Sequence, residues 1–159
     1  MLIIRKANKD DTATIVEFNS AMAMETESKQ LDSDTVRKGV EKTLKNSVHD
    51  FYLIAESDGV PGGQLMITKE WSDWRNGEYW WIQSVYVHPD FRKNNIYKNL
   101  YNAAIHLARE SDIVCGIRLY VDKDNTAAQN VYSKLGMKES NYVFFEEDWS
   151  FFLFKFDDI

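Results

Sequence analysis

Three cations, Arg92, Lys93 and Lys98, follow an apolar run in the stretch IQSVYVHPDFRKNNIYKNL, from Ile82 to Leu100. The order of residue types predicts a strand, a turn opened by Pro89, a basic and asparagine-rich loop, and an amphipathic helix. A loop joining a strand end to a helix start points unpaired backbone N–H groups at one spot, beside the positive end of the helix dipole. With cations around it, such a spot binds phosphate or a similar anion. This runs against the charge of the whole chain, which sets 19 Lys and Arg against 25 Asp and Glu for a formal −6.

The 159 residues predict a single domain, 1–159, long enough to bury one sizeable core. A hydrophobic content of 44% and an aromatic content of 14% argue for a globular fold and against disorder. The acidic balance disfavours nucleic acid and anionic membranes as partners and favours cationic ones. No apolar run approaches the length of a membrane span, and MLIIRKANKDD lacks a signal-peptide core and reads as a first strand. One cysteine, Cys115, excludes an internal disulfide and fits a reducing, cytoplasmic setting. His49, His88 and His106 have no metal-ligand spacing, so no metal site is expected. There is no internal repeat and no proline-rich linker.

The elements that must position the cations are legible in the periodicity. Leu2 to Ala7 reads as a strand, and Asp10 and Asp11 can cap a helix carrying Ile15, Phe18 and Met22 on one stripe. A second helix is expected from Ser33, with Val36, Val40 and Leu44 aligned, after a polar and mobile linker from Glu25 to Asp32. Phe51–Ala55, Gln64–Trp71 and Glu78–His88 are expected strands of an antiparallel meander. Alternation along the third predicts Trp81, Gln83, Val85 and Val87 on one face and Trp80, Ile82, Ser84 and Tyr86 on the other. A helix over Ile96–Arg109 then leads to a strand at Ile113–Val121, a parallel crossover. A helix over Asn125–Leu135, closed by Gly136, and strands at Tyr142–Glu146 and Phe151–Phe156 finish the chain. The fold class is α+β: a mixed, mostly antiparallel sheet flanked by helices.

Two segments resemble the GNAT superfamily of N-acetyltransferases. Arg92-x-x-Asn95-x-Tyr97-x-x-Leu100 is similar to its acetyl-CoA signature, Gln/Arg-x-x-Gly-x-Gly/Ala. LYVDKDNTAAQNVYSKLGMKE matches a downstream strand-to-helix segment through Asn125, Ala128, Tyr132, Leu135 and Gly136. The order of strands and helices agrees as well, so the likeness covers nearly the whole chain. The signature is altered at two places. Asn95 replaces the first glycine and is the non-glycine residue best tolerated in the left-handed region. Tyr97 replaces the second small residue; it either packs sideways with Tyr101 or obstructs the phosphate cradle.

The resemblance implies acetyl-CoA as co-substrate and direct attack of a primary amine on the thioester. It implies that backbone at Val85, Tyr86 and Val87 pairs with the pantetheine arm, in a gap between this strand and the next, where a backbone N–H serves as oxyanion donor. It assigns the diphosphate to Arg92, Lys93, Asn94, Asn95, Ile96, Tyr97 and Lys98, and adds Asn125 and Tyr132 to the cofactor side. Tyr132 falls on the general-acid position; the alternative is an ordinary core aromatic packed with Ala128 and Leu135. A phenol near pKa 10 facing a thiolate near 8.5 loses about 2 kcal/mol by full proton transfer, so hydrogen bonding to the departing sulfur is the expected role. An alkylamine must lose a proton, at about 4 kcal/mol at neutral pH. Many relatives, diamine acetyltransferases among them, use a strand glutamate for this, and the fourth strand here is similar to theirs in WWIQSVYV. The aligned residue is Gln83, leaving Glu78 as the expected base and Glu70 as the alternative; either is otherwise a solvated charge. Gln83, with Trp71 or Trp74, is assigned to the acceptor, because an aromatic face attracts an ammonium. A homodimer is the family-based expectation. The rival is a noncatalytic GNAT-fold CoA sensor or partner-binding protein, favoured by Asn95, Tyr97 and Gln83.

Overall fold

Apolar runs bounded by turn residues make the sheet. β1 (Leu2–Lys6), β2 (Phe51–Ser57), β3 (Val60–Ser72), β4 (Gly77–Val87) and β5 (Val114–Arg118) lie in chain order across one sheet. The first three pairings are antiparallel and the β4–β5 pairing is parallel. This is a computed structural model, and it describes residues 1–46 and 49–149. The chain divides into two units, Met1–Tyr120 and Val121–Ile159.

In the first unit, helices cover both faces of the sheet. α1 (Thr12–Glu27) and α2 (Ser33–Lys45) bury one face, where Ile15, Val16 and Val40 close over Tyr52 and Ile54, with Met66 beside them. α3 (Ile96–Arg109) takes the other face, with Leu100 and Ala104 completely buried. It carries the chain from the end of β4 back to the start of β5, which is why those strands run parallel. β5 is shorter than the expected Ile113–Val121. The expected linker from Glu25 is also corrected: α1 runs on to Glu27 and closes at Ser28 in a left-handed conformation, φ 52°.

The face assignment along β4 holds only as far as Gln83. Met66 pairs with Gln83, but Gln64 pairs with Tyr86, so Ser84 and Val85 together stand opposite Leu65. This β-bulge moves Tyr86 onto the α1 face with Trp81 and Gln83, and Val87 onto the α3 face with Trp80 and Ile82. The contacts agree: Tyr86 packs on Phe18 of α1 at 5.1 Å between ring centroids, and Trp80 meets Phe51 edge-on at 5.4 Å.

The second unit contains α4 (Thr126–Lys134), with Asn125 as its N-cap and Gly136 at φ 90° after it. The strand expected at Tyr142–Glu146 does not form; those residues carry no regular structure, and Tyr142, Val143, Phe144 and Phe145 are exposed. The strand expected at Phe151–Phe156 lies outside the described residues.

A fork of charge ties β1 to the start of α1. The Arg5 guanidinium donates to both Asp11 oxygens, at 2.8 and 2.7 Å, and also pairs with Glu56. Asp11 is buried and also accepts from the Asn8 N–H at 2.8 Å. Arg5, and then the Asn8 amide, hold its carboxyl below the usual carboxylate range against the opposing effect of burial. A depressed folded pKa stabilises above the ordinary carboxylate value, and that stability is lost as pH falls through the folded value. Asp11→Asn is therefore expected to cost about 1–3 kcal/mol at neutral pH. Its thermal midpoint should converge with wild type as the pH drops below about 4. A gap of constant size from neutral to acid contradicts this.

Candidate active site

β5 accompanies β4 only from Glu78, opposite Val114, to Trp81, opposite Arg118. From Ile82 to Val87 the same edge of β4 has no strand beside it among the described residues. Val85, Tyr86 and Val87 lie on this open edge, where the resemblance asks for backbone to be available. The β4 ladder with β3 continues to the His88 N–H, which bonds the Gly62 carbonyl at 3.0 Å. A short turn, Pro89–Phe91, then delivers the chain to the basic loop.

The loop is anchored at both ends on a pair of glycines in β3. A Cβ on Gly62 would stand 2.6 Å from the Phe91 ring, and one on Gly63 would stand 2.8 Å from Ile96 and 2.9 Å from the Tyr86 carbonyl. Phe91 and Ile96 therefore approach the sheet as only glycine allows. Between them, Lys93 (φ 65°) and Asn95 (φ 58°) take left-handed conformations. Asn95 thus does what the signature glycine would do. Left-handed residues in a tight loop turn backbone N–H groups into an anion-binding concavity. Asn95 is the N-cap of α3 and makes no side-chain capping bond there. Tyr97 lies 6.2 Å from Tyr101, ring centroid to centroid, as the sideways alternative required. Lys93, Asn94 and Lys98 are exposed on this loop and the first turn of α3.

Arg92 joins this loop to α1. Its Nε donates to the Val87 carbonyl at 3.0 Å, and its Nη2 lies 2.6 Å from a Glu25 oxygen. The guanidinium carbon stands 5.9 Å from the centroid of the Tyr86 ring, whose hydroxyl donates to the other Glu25 oxygen at 3.2 Å. Burial and the neighbouring Glu25 charge push the Tyr86 phenol up, and Arg92 opposes them. Glu25 was missed in the sequence, where it read as linker; one more turn of α1 brings it here.

The expected base and acceptor residues are distributed over both faces. Gln83 faces α1 and donates to the Thr68 hydroxyl at 2.6 Å. Glu70 shares that face, accepting from the Trp81 indole and lying 2.9 Å from Arg118. Glu78 and Trp71 stand opposite each other on the α3 face, with Glu78 3.7 Å from Lys69. Trp74 is in the β3–β4 turn and is 87% exposed. The sheet thus brings neither Glu78 nor Trp71 to the side of Gln83. Among the described residues no cluster of His, Cys, Asp and Glu could hold a metal.

In the second unit, the Asn125 side chain accepts from the Ala128 N–H at 3.1 Å and starts α4. Tyr132 is half-buried on that helix, and burial raises its phenol above the ordinary value.

The pattern of the acetyltransferase (GNAT) family matches residues 18–137, and the chain belongs to that family. Its members use acetyl-CoA as co-substrate. The chain is 39% identical to a possible acetyltransferase from Clostridium difficile 630, with a TM-score of 0.87 over 93% of this chain and 97% of that one. A predicted acetyltransferase from Clostridium acetobutylicum, solved with acetyl-CoA, shares the fold at 19% identity, with a TM-score of 0.75 over 92% of this chain and 96% of that one. An uncharacterized N-acetyltransferase of Methanocaldococcus jannaschii is 30% identical over 64% of this chain. The chain spans 45% of that curated relative's length. No helix among the described residues is long and apolar enough to cross a membrane.

The residues present fit the co-substrate: a strand edge with no strand beside it among the described residues, its Val87 carbonyl held by Arg92, for the amides, and a left-handed loop with cations for the diphosphate. Gly63→Ala tests the seating of that loop. It is expected to cost about 1–3 kcal/mol in stability, because the added methyl pushes Ile96 or the Tyr86 carbonyl away. It should also raise the dissociation constant for acetyl-CoA about tenfold or more by calorimetry, since misplaced groups bind poorly. Unchanged affinity in a folded variant would separate the loop from cofactor binding.

Proposed function

We propose that the chain is an acetyl-CoA-dependent N-acetyltransferase that acetylates a primary amine by direct attack. The observation that carries this reading is the end of β4–β5 pairing at Trp81, directly upstream of the left-handed loop Lys93–Asn95. In this reading backbone of Val85, Tyr86 and Val87 pairs with the pantetheine amides, and amides of the loop and first turn of α3 hold the diphosphate with Lys93 and Lys98.

The neutral amine nitrogen attacks the thioester carbonyl carbon and the carbonyl electrons move to oxygen, where a β4 backbone N–H stabilises them. Collapse of that adduct breaks the carbon–sulfur bond, the attacking nitrogen gives up its surplus proton to water, and the family resemblance gives Tyr132 the hydrogen bond to the departing thiolate. Burial of the phenol makes outright proton transfer costlier still than the free pKa values imply, so Tyr132 acts as a neutral donor. Gln83 cannot accept a proton. The Lys69 partner and the position of Glu78 on the α3 face disfavour it as base, and Glu70 is engaged by the Trp81 indole and Arg118, so the amine loses its proton to water.

We assign the acceptor to small cationic amines. Beyond the net charge, the support is local: Glu25 and the Tyr86 ring already receive a cation, the guanidinium of Arg92. A carboxylate beside an aromatic face also suits an ammonium.

Purified protein should be stabilised thermally by acetyl-CoA and should release thiol when a panel of amines is added. Stabilisation without turnover across the panel would favour a CoA sensor, and no shift would remove both readings. Tyr132→Phe is expected to lower kcat by about a hundredfold with little change in KM for acetyl-CoA; equal turnover takes Tyr132 out of the mechanism. Glu25→Gln should raise KM for a diamine about tenfold or more. An unchanged diamine KM would send the search for the cation's partner elsewhere.

A further inference from the structure

Among the described residues, Ser84 is the one strand residue with a left-handed backbone, at φ 48°. It is no glycine, so the conformation must be held in place by its surroundings. The bulge it makes lies on the open stretch of β4, between Gln83 and the backbone assigned to the pantetheine arm.

What holds it is a buried polar chain drawn from four elements. Gln64 of β3, with no exposed surface, donates through Nε2 to the Ser84 carbonyl at 3.3 Å and to Asn19 Oδ1 at 2.7 Å. Asn19 of α1 donates through Nδ2 to the Tyr52 hydroxyl of β2 at 3.4 Å. Asn19 and Tyr52 are buried as well. The Gln64 Oε1 has no hydrogen-bond partner among the described residues. An amide with one end unsatisfied is a poor choice for filling a core where a leucine or methionine would pack without penalty. The retained donor has a specific task, which is to fix the Ser84 carbonyl and with it the turn of the strand.

We infer that Gln64 and Asn19 are positioning residues for acyl transfer: their buried amides clamp the Ser84 bulge and so aim the β4 backbone at the thioester carbonyl. The inference rests on the acetyltransferase reading above. The clamp acts through backbone geometry and touches neither substrate. Its removal therefore lowers turnover and leaves acetyl-CoA binding at the loop, several residues further on, in place.

Gln64→Met keeps the length of the side chain and removes both N–H groups. Steady-state kinetics on the full chain should show kcat lower by about a hundredfold, the size of loss that a misaimed reacting group produces, with KM for acetyl-CoA within about twofold. Adding Ser84→Gly to that variant should recover at least about tenfold in kcat, because glycine takes a positive φ without needing a clamp. A role confined to core stability would lower the thermal midpoint without this pattern and would not respond to glycine. Wild-type kcat in folded Gln64→Met, or a folded double variant no faster than the single one, overturns the inference. Should Gln64→Met fail to fold, Tyr52→Phe cuts the same network where the hydroxyl meets Asn19 and the Ser84 side chain. It should lower kcat by roughly threefold or more at unchanged KM, and an unchanged kcat is again decisive against the clamp. If the wild type transfers no acetyl group to any amine, the underlying reading fails and the inference with it. Wild-type turnover with indifferent clamp variants defeats the clamp alone.

Discussion

Peptide groups along a strand require hydrogen-bond partners, and from Ile82 to Val87 one edge of β4 lacks a neighbouring strand among the described residues, since β5 stops pairing at Trp81. An unpaired edge inside a sheet protein invites either another chain or a ligand with its own amides. The rest of the first unit can be understood as what makes that edge usable. α3 lies under it, the β3 glycines bring the following loop close, and α1 closes the opposite face.

Electrostatics works locally and against the global charge. A molecule with a formal −6 presents left-handed residues, a helix N-terminus and Lys93 and Lys98 at one place, and the proposed reading puts the diphosphate there, where short-range attraction outweighs long-range repulsion. The proposed reading matches the acidic remainder to a cationic acceptor. Arg92 stands between these two demands, bonded to the Val87 carbonyl and paired with Glu25. An exposed ion pair of this kind contributes little to stability, so its interest is in where it puts the two charges.

The sequence was informative where structure follows from local chemistry. The β2, β3 and β4 strands, the start of α3 at Ile96 and the left-handed Asn95 all follow from residue types and spacing. What escaped detection depends on pairing. Strict alternation put Tyr86 on the wrong face, because nothing in the residues Gln83-Ser84-Val85 marks a bulge without a glycine. Glu25 lay in a polar run that looked like linker. Buried Gln64 and Asn19 are unremarkable in isolation, and only the fold joins them to Ser84. The Tyr142–Glu146 aromatics satisfied strand periodicity yet carry no regular structure. The acetyl-CoA signature was readable despite two substitutions because Asn95 keeps the conformation and Tyr97 turns toward Tyr101.

Backbone amide resonances of isotope-labelled protein, followed while coenzyme A is titrated in, report directly on which peptide groups receive the ligand. The account requires the largest shifts at Lys93, Asn94, Asn95 and Ile96, with a second group at Val85, Tyr86 and Val87. Saturable binding whose perturbed amides lie away from both segments would contradict it.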